Sequence, residues 1–146
     1  MSQSGAAGNA RKIHTIHRRL RRRYGGLDAP RRSDPLDELI LTVCSQHTSD
    51  VNAARAFEAL RSRYSSWDAV VRARPDRVAA TIRSGGLGNT KAPRIQAILR
   101  EIRLREGGYD LSWMRDAEDD RVVDYLTSLP GVGPKTAAVV LAFSLG

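Results

Sequence analysis

Apolar residues recur every three or four positions along most of this chain and almost nowhere alternate, so helices are predicted and strands are not. Residues 1–9 are small and polar and are expected to be disordered. Ile13, Ile16, Leu20 and Tyr24 form one stripe, which predicts an amphipathic helix over 10–24 with an arginine face. Gly25-Gly26 ends it, and 25–33 read as a loop. Asp34 stands where an N-cap belongs, with Pro35, Asp37 and Glu38 in the first turn behind it. The run from Leu36 to Val43 is almost wholly apolar and predicts a buried helix. Asp50 is predicted to cap a helix through Tyr64, with Val51, Ala54, Phe57, Ala59 and Leu60 inward. Ser66 caps a short helix carrying Trp67, Val70 and Val71. Pro75 opens another, with Val78, Ala79 and Ile82 inward, and Gly85-Gly86 stops it. A long helix is predicted over 89–106 on the stripe Ile95, Ile98, Leu99 and Ile102, with Pro93 admissible only in its first turn. Residues 110–115 read as a loop with Trp113 docked on the core, and 118–127 and 134–145 as two closing helices. The predicted fold class is all-α, with about eight helices and no repeat.

Charge changes this picture at one end. The net charge is +8, and residues 1–34 hold nine of the 24 basic and two of the 16 acidic residues, a net of +7. The basic N-terminal helix suits a polyanionic partner, although a solvated arginine face would look the same. Arginines number 21 and lysines three, Lys12, Lys91 and Lys135. Where plain positive charge suffices the chain uses arginine, so a lysine hints at chemistry that needs a deprotonatable amine. Cys44 is the single cysteine, which excludes a disulfide within the chain, and it sits in an apolar run as a small hydrophobe. No apolar stretch is long enough to span a membrane and no signal core opens the chain, so a cytoplasmic, monomeric protein is expected.

The most specific run is Leu129-Pro130-Gly131-Val132-Gly133-Pro134-Lys135-Thr136-Ala137-Ala138. Two glycines around one apolar residue allow a sharp turn with bare amides. Pro134 suits the first position of a following helix. The product is a hairpin whose free N–H groups meet a helix N-terminus, a site suited to phosphate, with Lys135 beside it. A helix cap followed by a surface lysine is the plainer reading of the same residues. Two further runs stand out, Ser45-Gln46-His47-Thr48-Ser49-Asp50 and Gly86-Leu87-Gly88-Asn89-Thr90-Lys91-Ala92. Taken alone, a leucine on a glycine-bounded turn reads first as a core anchor.

In this order the three runs resemble those of the endonuclease III branch of helix-hairpin-helix base-excision DNA glycosylases, across residues 34–146. The resemblance implies a six-helix barrel domain over 34–146, with the helix-hairpin-helix at 118–146, and a basic N-terminal helix (10–33 with its loop) from an incomplete second domain. It implies glycosylase and abasic-site lyase chemistry on double-stranded DNA with damaged or abasic sites, with Lys135 as the catalytic nucleophile. Lys135 must shed its proton to attack, and partial desolvation is expected to help. The DNA-binding residues implied are Leu129, Gly131, Val132, Gly133 and Thr136 at the hairpin, Leu87, Asn89 and Lys91 in the second loop, and Gln46 and His47. Leu87 becomes a wedge that fills the gap left by a flipped nucleotide. The second wedge is His47 by gapless alignment and Gln46 by motif, and His47 itself departs from the family's asparagine. The resemblance also implies that the hairpin holds a monovalent cation in many members; no metal site is read from the residues.

The match is incomplete. The family's catalytic aspartate lies downstream of the hairpin helix, and Asp119, Asp120 and Asp124 precede the hairpin and fit no family position. The cysteines of a 4Fe-4S cluster, an expectation for a complete protein, are not in this chain, so no cofactor is expected in it. The chain therefore reads as a fragment with reduced activity. The alternative from another class is a non-catalytic helix-hairpin-helix DNA-binding module; a degenerate structural protein is a third.

Overall fold

Aspartate, serine and proline decide where the helices start. In the computed structural model, which describes residues 4–25 and 32–145, the Asp34 carboxylate accepts from the Leu36 and Asp37 amides, both at 3.0 Å. Helix α2 (Pro35–Ser45) follows with its proline at the first position. Ser49 caps α3 (Asp50–Arg63) by accepting from the Asn52 amide, and Ser66 caps α4 (Trp67–Arg72) by accepting from the Ala69 amide. Pro75 opens α5 (Pro75–Thr81). Helix α6 spans Gly88–Glu106, α7 Asp119–Thr127 and α8 Pro134–Val140, continued by a π-helical stretch, Leu141–Leu145. Short 3-10 turns at Arg83–Gly85 and Ser112–Asp116 complete the elements. Every regular element among the described residues is helical, as an all-α fold requires.

The chain divides into two units. The first carries α1 (Ser4–Tyr24), which ends at Gly25 with φ +78°, the left-handed exit that glycine adopts freely. Its arginines Arg21, Arg22 and Arg23 sit in the last turn, where the helix dipole favours cations, and Ile13, Ile16 and Leu20 are exposed. The helix starts at Ser4, so Ser4 to Asn9 are helical where disorder is expected. Of the loop expected over 25–33, residues 26–31 lie outside the described residues.

The second unit begins at Arg32 and holds α2 to α8, which with α1 makes the eight helices expected, among the described residues. Helix α2 lies at its centre, with Leu36, Leu39, Ile40, Val43 and Cys44 buried, and packs against α3, α6 and α8. Helix α6 brings Ile95, Ile98, Leu99 and Ile102 to the same core and packs on α4 and α5. Gln96 is fully buried on α6, and its Nε2 donates to the carbonyls of Val70 and Ala73, which satisfies the end of α4. Helix α7 packs on α8, with Val122 and Leu126 meeting a core that includes Ala137 and Val140.

Several local expectations shift. The cap of α3 is Ser49, and Asp50 is its first helical residue. The buried face of α3 is Ala53, Ala56 and Leu60, while Val51 and Ala54 face solvent; alanine spread around the helix leaves its facing to the neighbours. The run Gly88-Asn89-Thr90-Lys91 is the first turn of α6 and not a loop. Pro93 is therefore the sixth residue of that helix, beyond its first turn. Both Pro93 and Asn89 are exposed, so solvent can satisfy the Asn89 carbonyl that loses its helical donor. Trp113 is half-buried and meets Tyr125 edge-on, 5.2 Å between ring centroids, while Leu111 and Met114 take the buried positions beside it.

Gly88 seats the start of α6 on α5. A Cβ there would lie 2.6 Å from the Ala79 carbonyl oxygen, whereas a Cβ at Gly108 meets nothing within 4 Å. Gly88→Ala is therefore expected to destabilise by about 1–3 kcal/mol, as an overpacked backbone contact does. Gly108→Ala should leave the thermal midpoint nearly unchanged, and paired melting curves check both.

Candidate functional site

Three turns carry the residues singled out by the sequence, and the first two turns of α6 tie them together. The hairpin between α7 and α8 comes first. Leu129 and Val132 point their side chains into the core and Thr136 is also buried. The Leu129 amide donates to Leu126 O and the Val132 amide to Leu129 O. Those two amides are thus used internally, and the hairpin side chains anchor it rather than face a ligand. Gly131 carries φ +69° and is exposed. The amides of Gly131, Gly133, Lys135 and Thr136 make no hydrogen bond within the described residues. Four donors thus gather where Gly133 caps α8 and the helix dipole is positive. Lys135 stands at the second position of α8. It is exposed, so the partial desolvation expected for it is not present.

Leu87 is 56% exposed, against the core-anchor reading of the residues alone. Its backbone is left-handed, φ 51° and ψ 35°, and its carbonyl accepts from the Thr90 and Lys91 amides that start α6. Asn89 beside it is exposed. The second non-glycine residue with positive φ among the described residues is His47, at φ 57° and exposed, on the turn after α2. Bulky side chains rarely adopt this conformation, and such outliers gather at functional sites. Gln46 is half-buried, and its Oε1 accepts from Arg94 Nη1 at 2.8 Å. The two candidates for one role thus separate: Gln46 is engaged inside the protein, and the His47 side chain is presented to solvent.

Lys91 corrects an expectation. It is 2% exposed, and its Nζ donates to Cys44 O at 2.8 Å and Gly85 O at 2.7 Å. A side chain so enclosed cannot contact DNA. The signal was present in the spacing, because position 91 lies on the same helical stripe as Ile95, Ile98 and Ile102. Burial pulls the Lys91 amine below the usual lysine range. Arg94, three residues on and so on the same side of α6, is a contact of this region that the sequence did not single out. It holds Gln46, and it also lies against the hairpin: a Cβ at Gly131 would be 2.9 Å from Arg94 Nε. Among 21 arginines nothing in the sequence distinguishes it.

Among the described residues no group of three or more His, Cys, Asp or Glu could hold a metal ion. A four-thiolate cluster does not fit this chain, whose one cysteine, Cys44, is free and buried. No helix is long and apolar enough to cross a membrane.

A family model described as HhH-GPD superfamily base excision DNA repair protein matches residues 40–140. The endonuclease III of Thermotoga maritima is 36% identical over 112 residues, covering 75% of this chain and 47% of that protein. The DNA glycosylase/AP lyase ROS1 of Arabidopsis thaliana is 37% identical over 79 residues, 54% of this chain and 6% of that protein. The chain spans less than half the length of these relatives. A trapped endonuclease III–DNA covalent intermediate superposes with a TM-score of 0.66 over 91% of this chain and 59% of that one, at 24% identity. MBOgg1 in complex with a low affinity DNA ligand gives 0.72 over 99% of this chain and 52% of that one, at 18% identity. At such identities the superpositions establish the shared fold.

The interior beside Lys91 has its own reporter. Burial pushes the Cys44 thiol up to about 11, with Lys91 opposing. A folded value above the unfolded one means that the stability contributed is complete below the unfolded thiol's value near 9 and is lost as pH rises towards 11. At pH 8 a disulfide reagent such as DTNB should label Cys44 slowly in the native protein and quickly in urea. Equal rates would show that this part of the core is open.

Proposed function

We propose, for a chain that belongs to the HhH-GPD superfamily of base excision DNA repair proteins, that it acts on duplex DNA as a glycosylase and abasic-site lyase through Lys135. The observation that carries the proposal is the hairpin: free amides at Gly131 and Gly133 lead into the start of α8, with an exposed amine at Lys135. Backbone amides grip phosphate without reading sequence, which is what a search along duplex DNA requires. Leu87 and His47, exposed on strained turns, fill the space vacated by a flipped nucleotide. His47 takes that role over Gln46, which Arg94 holds.

The reaction follows from the amine. Deprotonated Lys135 Nζ attacks C1′, the N-glycosidic bond breaks, and its electron pair leaves with the base, which takes a proton. The sugar ring then opens as C1′ and Nζ form an imine and O4′ takes up the amine proton. Loss of a proton from C2′ expels the 3′ phosphate by β-elimination, and water later releases the lysine. At an abasic site the aldehyde is already present, and only imine formation and elimination remain. A monomer fits the reading, and a free cysteine fits the reducing cytoplasm as its compartment.

No acidic residue follows Asp124 in the 146-residue chain. Base removal develops positive charge at C1′, and missing one stabilising group of this kind typically slows the step on the order of 10²–10³-fold. The chain should therefore react with abasic duplex, trapped by borohydride, yet remove an oxidised pyrimidine far more slowly than the T. maritima endonuclease III. Lys135→Ala should abolish trapping. Undiminished trapping by that variant would take Lys135 out of the chemistry, whereas no trapping by the unsubstituted chain would favour the non-catalytic binding module.

Residues 1–24 carry seven basic and no acidic residues. Their deletion should weaken binding to undamaged duplex and flatten the salt dependence of the affinity. An unchanged slope would make α1 plain surface.

A further inference from the structure

Among the described residues Lys91 is the one buried lysine or arginine, and the reaction above leaves it without a part. Its two acceptors lie on different segments. Cys44 is in the last turn of α2, three residues before His47, and Gly85 is two residues before Leu87. Among the described residues His47 and Leu87 are also the two non-glycine residues of positive φ, a conformation that persists only when the surroundings impose it. The segments meet closely. A Cβ at Gly85 would lie 3.2 Å from Cys44 O and 3.1 Å from Ala56 Cβ, tighter than most Cβ contacts, so the two segments approach closely here. Gly88, on the other side of Leu87, is held against Ala79 O.

We propose that Lys91 is a positioning residue of the DNA site: by donating to Cys44 O and Gly85 O it fixes the spacing between the turn that presents His47 and the turn that presents Leu87. The proposal rests on the reading that both residues enter the duplex. Two wedges fill one gap only if their separation is set before DNA arrives, because loose positioning spends binding energy on ordering. A lysine suits this task where an arginine does not. Its compact head, on a flexible stem, reaches two carbonyls of unrelated direction, whereas a planar fork matches a flat, paired acceptor. A chain that otherwise uses arginine sevenfold more often than lysine retains lysine here.

The test compares the full chain with Lys91→Met, and with Val70→Ala as a core truncation on α4 that lowers stability elsewhere. Two readouts are taken below all melting points. One is amide hydrogen exchange at residues 46–48 and 86–88 of the free protein. The other is the ratio of affinities for a duplex with a tetrahydrofuran abasic analogue and an undamaged duplex. Lys91→Met should speed exchange in both turns together and reduce the ratio on the order of tenfold, with affinity for undamaged duplex kept. Val70→Ala should move neither readout. Wild-type exchange or a wild-type ratio in Lys91→Met, or the same losses in Val70→Ala, would overturn the proposal. If Lys91→Met does not fold, Lys91→Arg, which keeps charge and donors but forks the head, decides by the same two readouts. Leu87→Ala and His47→Ala separate this idea from the one beneath it. If they keep the ratio, the insertion reading fails and the proposal with it; if they lose it while Lys91→Met does not, Lys91 alone is refuted.

Discussion

The buried Lys91 side chain, donating from Nζ to two backbone carbonyls, ties together two turns of this protein. Desolvating an amine is costly, and an interior lysine survives only where hydrogen bonds replace its water. Lys91 obtains two short ones, to Cys44 O and Gly85 O, neither of which is met by a helical amide at that point. The carbonyls depend on the lysine as much as it depends on them. Removing the donor leaves each unsatisfied, at about 1–3 kcal/mol apiece. The bond pair thereby fastens the end of α2 to the turn before α6, and the exposed residues that follow each carbonyl inherit their positions from it.

Arg94 extends the same logic one turn along. Lys91 fastens α2 to the Leu87 turn, and Arg94 bonds Gln46 while its side chain lies beside Gly131 of the hairpin. Three turns far apart in the chain are thus referred to one rigid helix, whose other face is locked into the core by Ile95, Ile98 and Ile102. A site on loops gains precision when its supports belong to a regular element. The hairpin follows a complementary rule. Leu129 and Val132 bury their side chains and use their own amides internally, which leaves the glycine amides and the first turn of α8 to face outward. The apolar residues of that motif aim the donors; they are not themselves the contact surface.

Much of this was legible in the residues. The caps at Asp34 and Ser66, the proline starts at Pro35, Pro75 and Pro134, and the buried run of α2 all follow from short-range chemistry, which acts within a turn and needs no partner. The sharp turn at Gly131 and the exposed lysine after it were equally local. The membership in a DNA-repair family followed from three ordered motifs whose residue types are each tied to a backbone shape.

What the chain alone left open depended on neighbours brought in from elsewhere. Alanines stand on several sides of α3, so the buried choice of Ala53 and Ala56 over Ala54 came from packing against α2. Pro93 could enter the second turn of α6 because that side of the helix is exposed. Gln46 and His47 are adjacent polar residues with equal claims until Arg94, 48 positions away in sequence, engages the first and leaves the second in solvent. Lys91 is the sharpest case. Its charge argued for the surface and its place on an apolar stripe argued for the core. Only the tertiary structure, by bringing the carbonyls of Cys44 and Gly85 within reach of its Nζ, made burial the lower-energy answer.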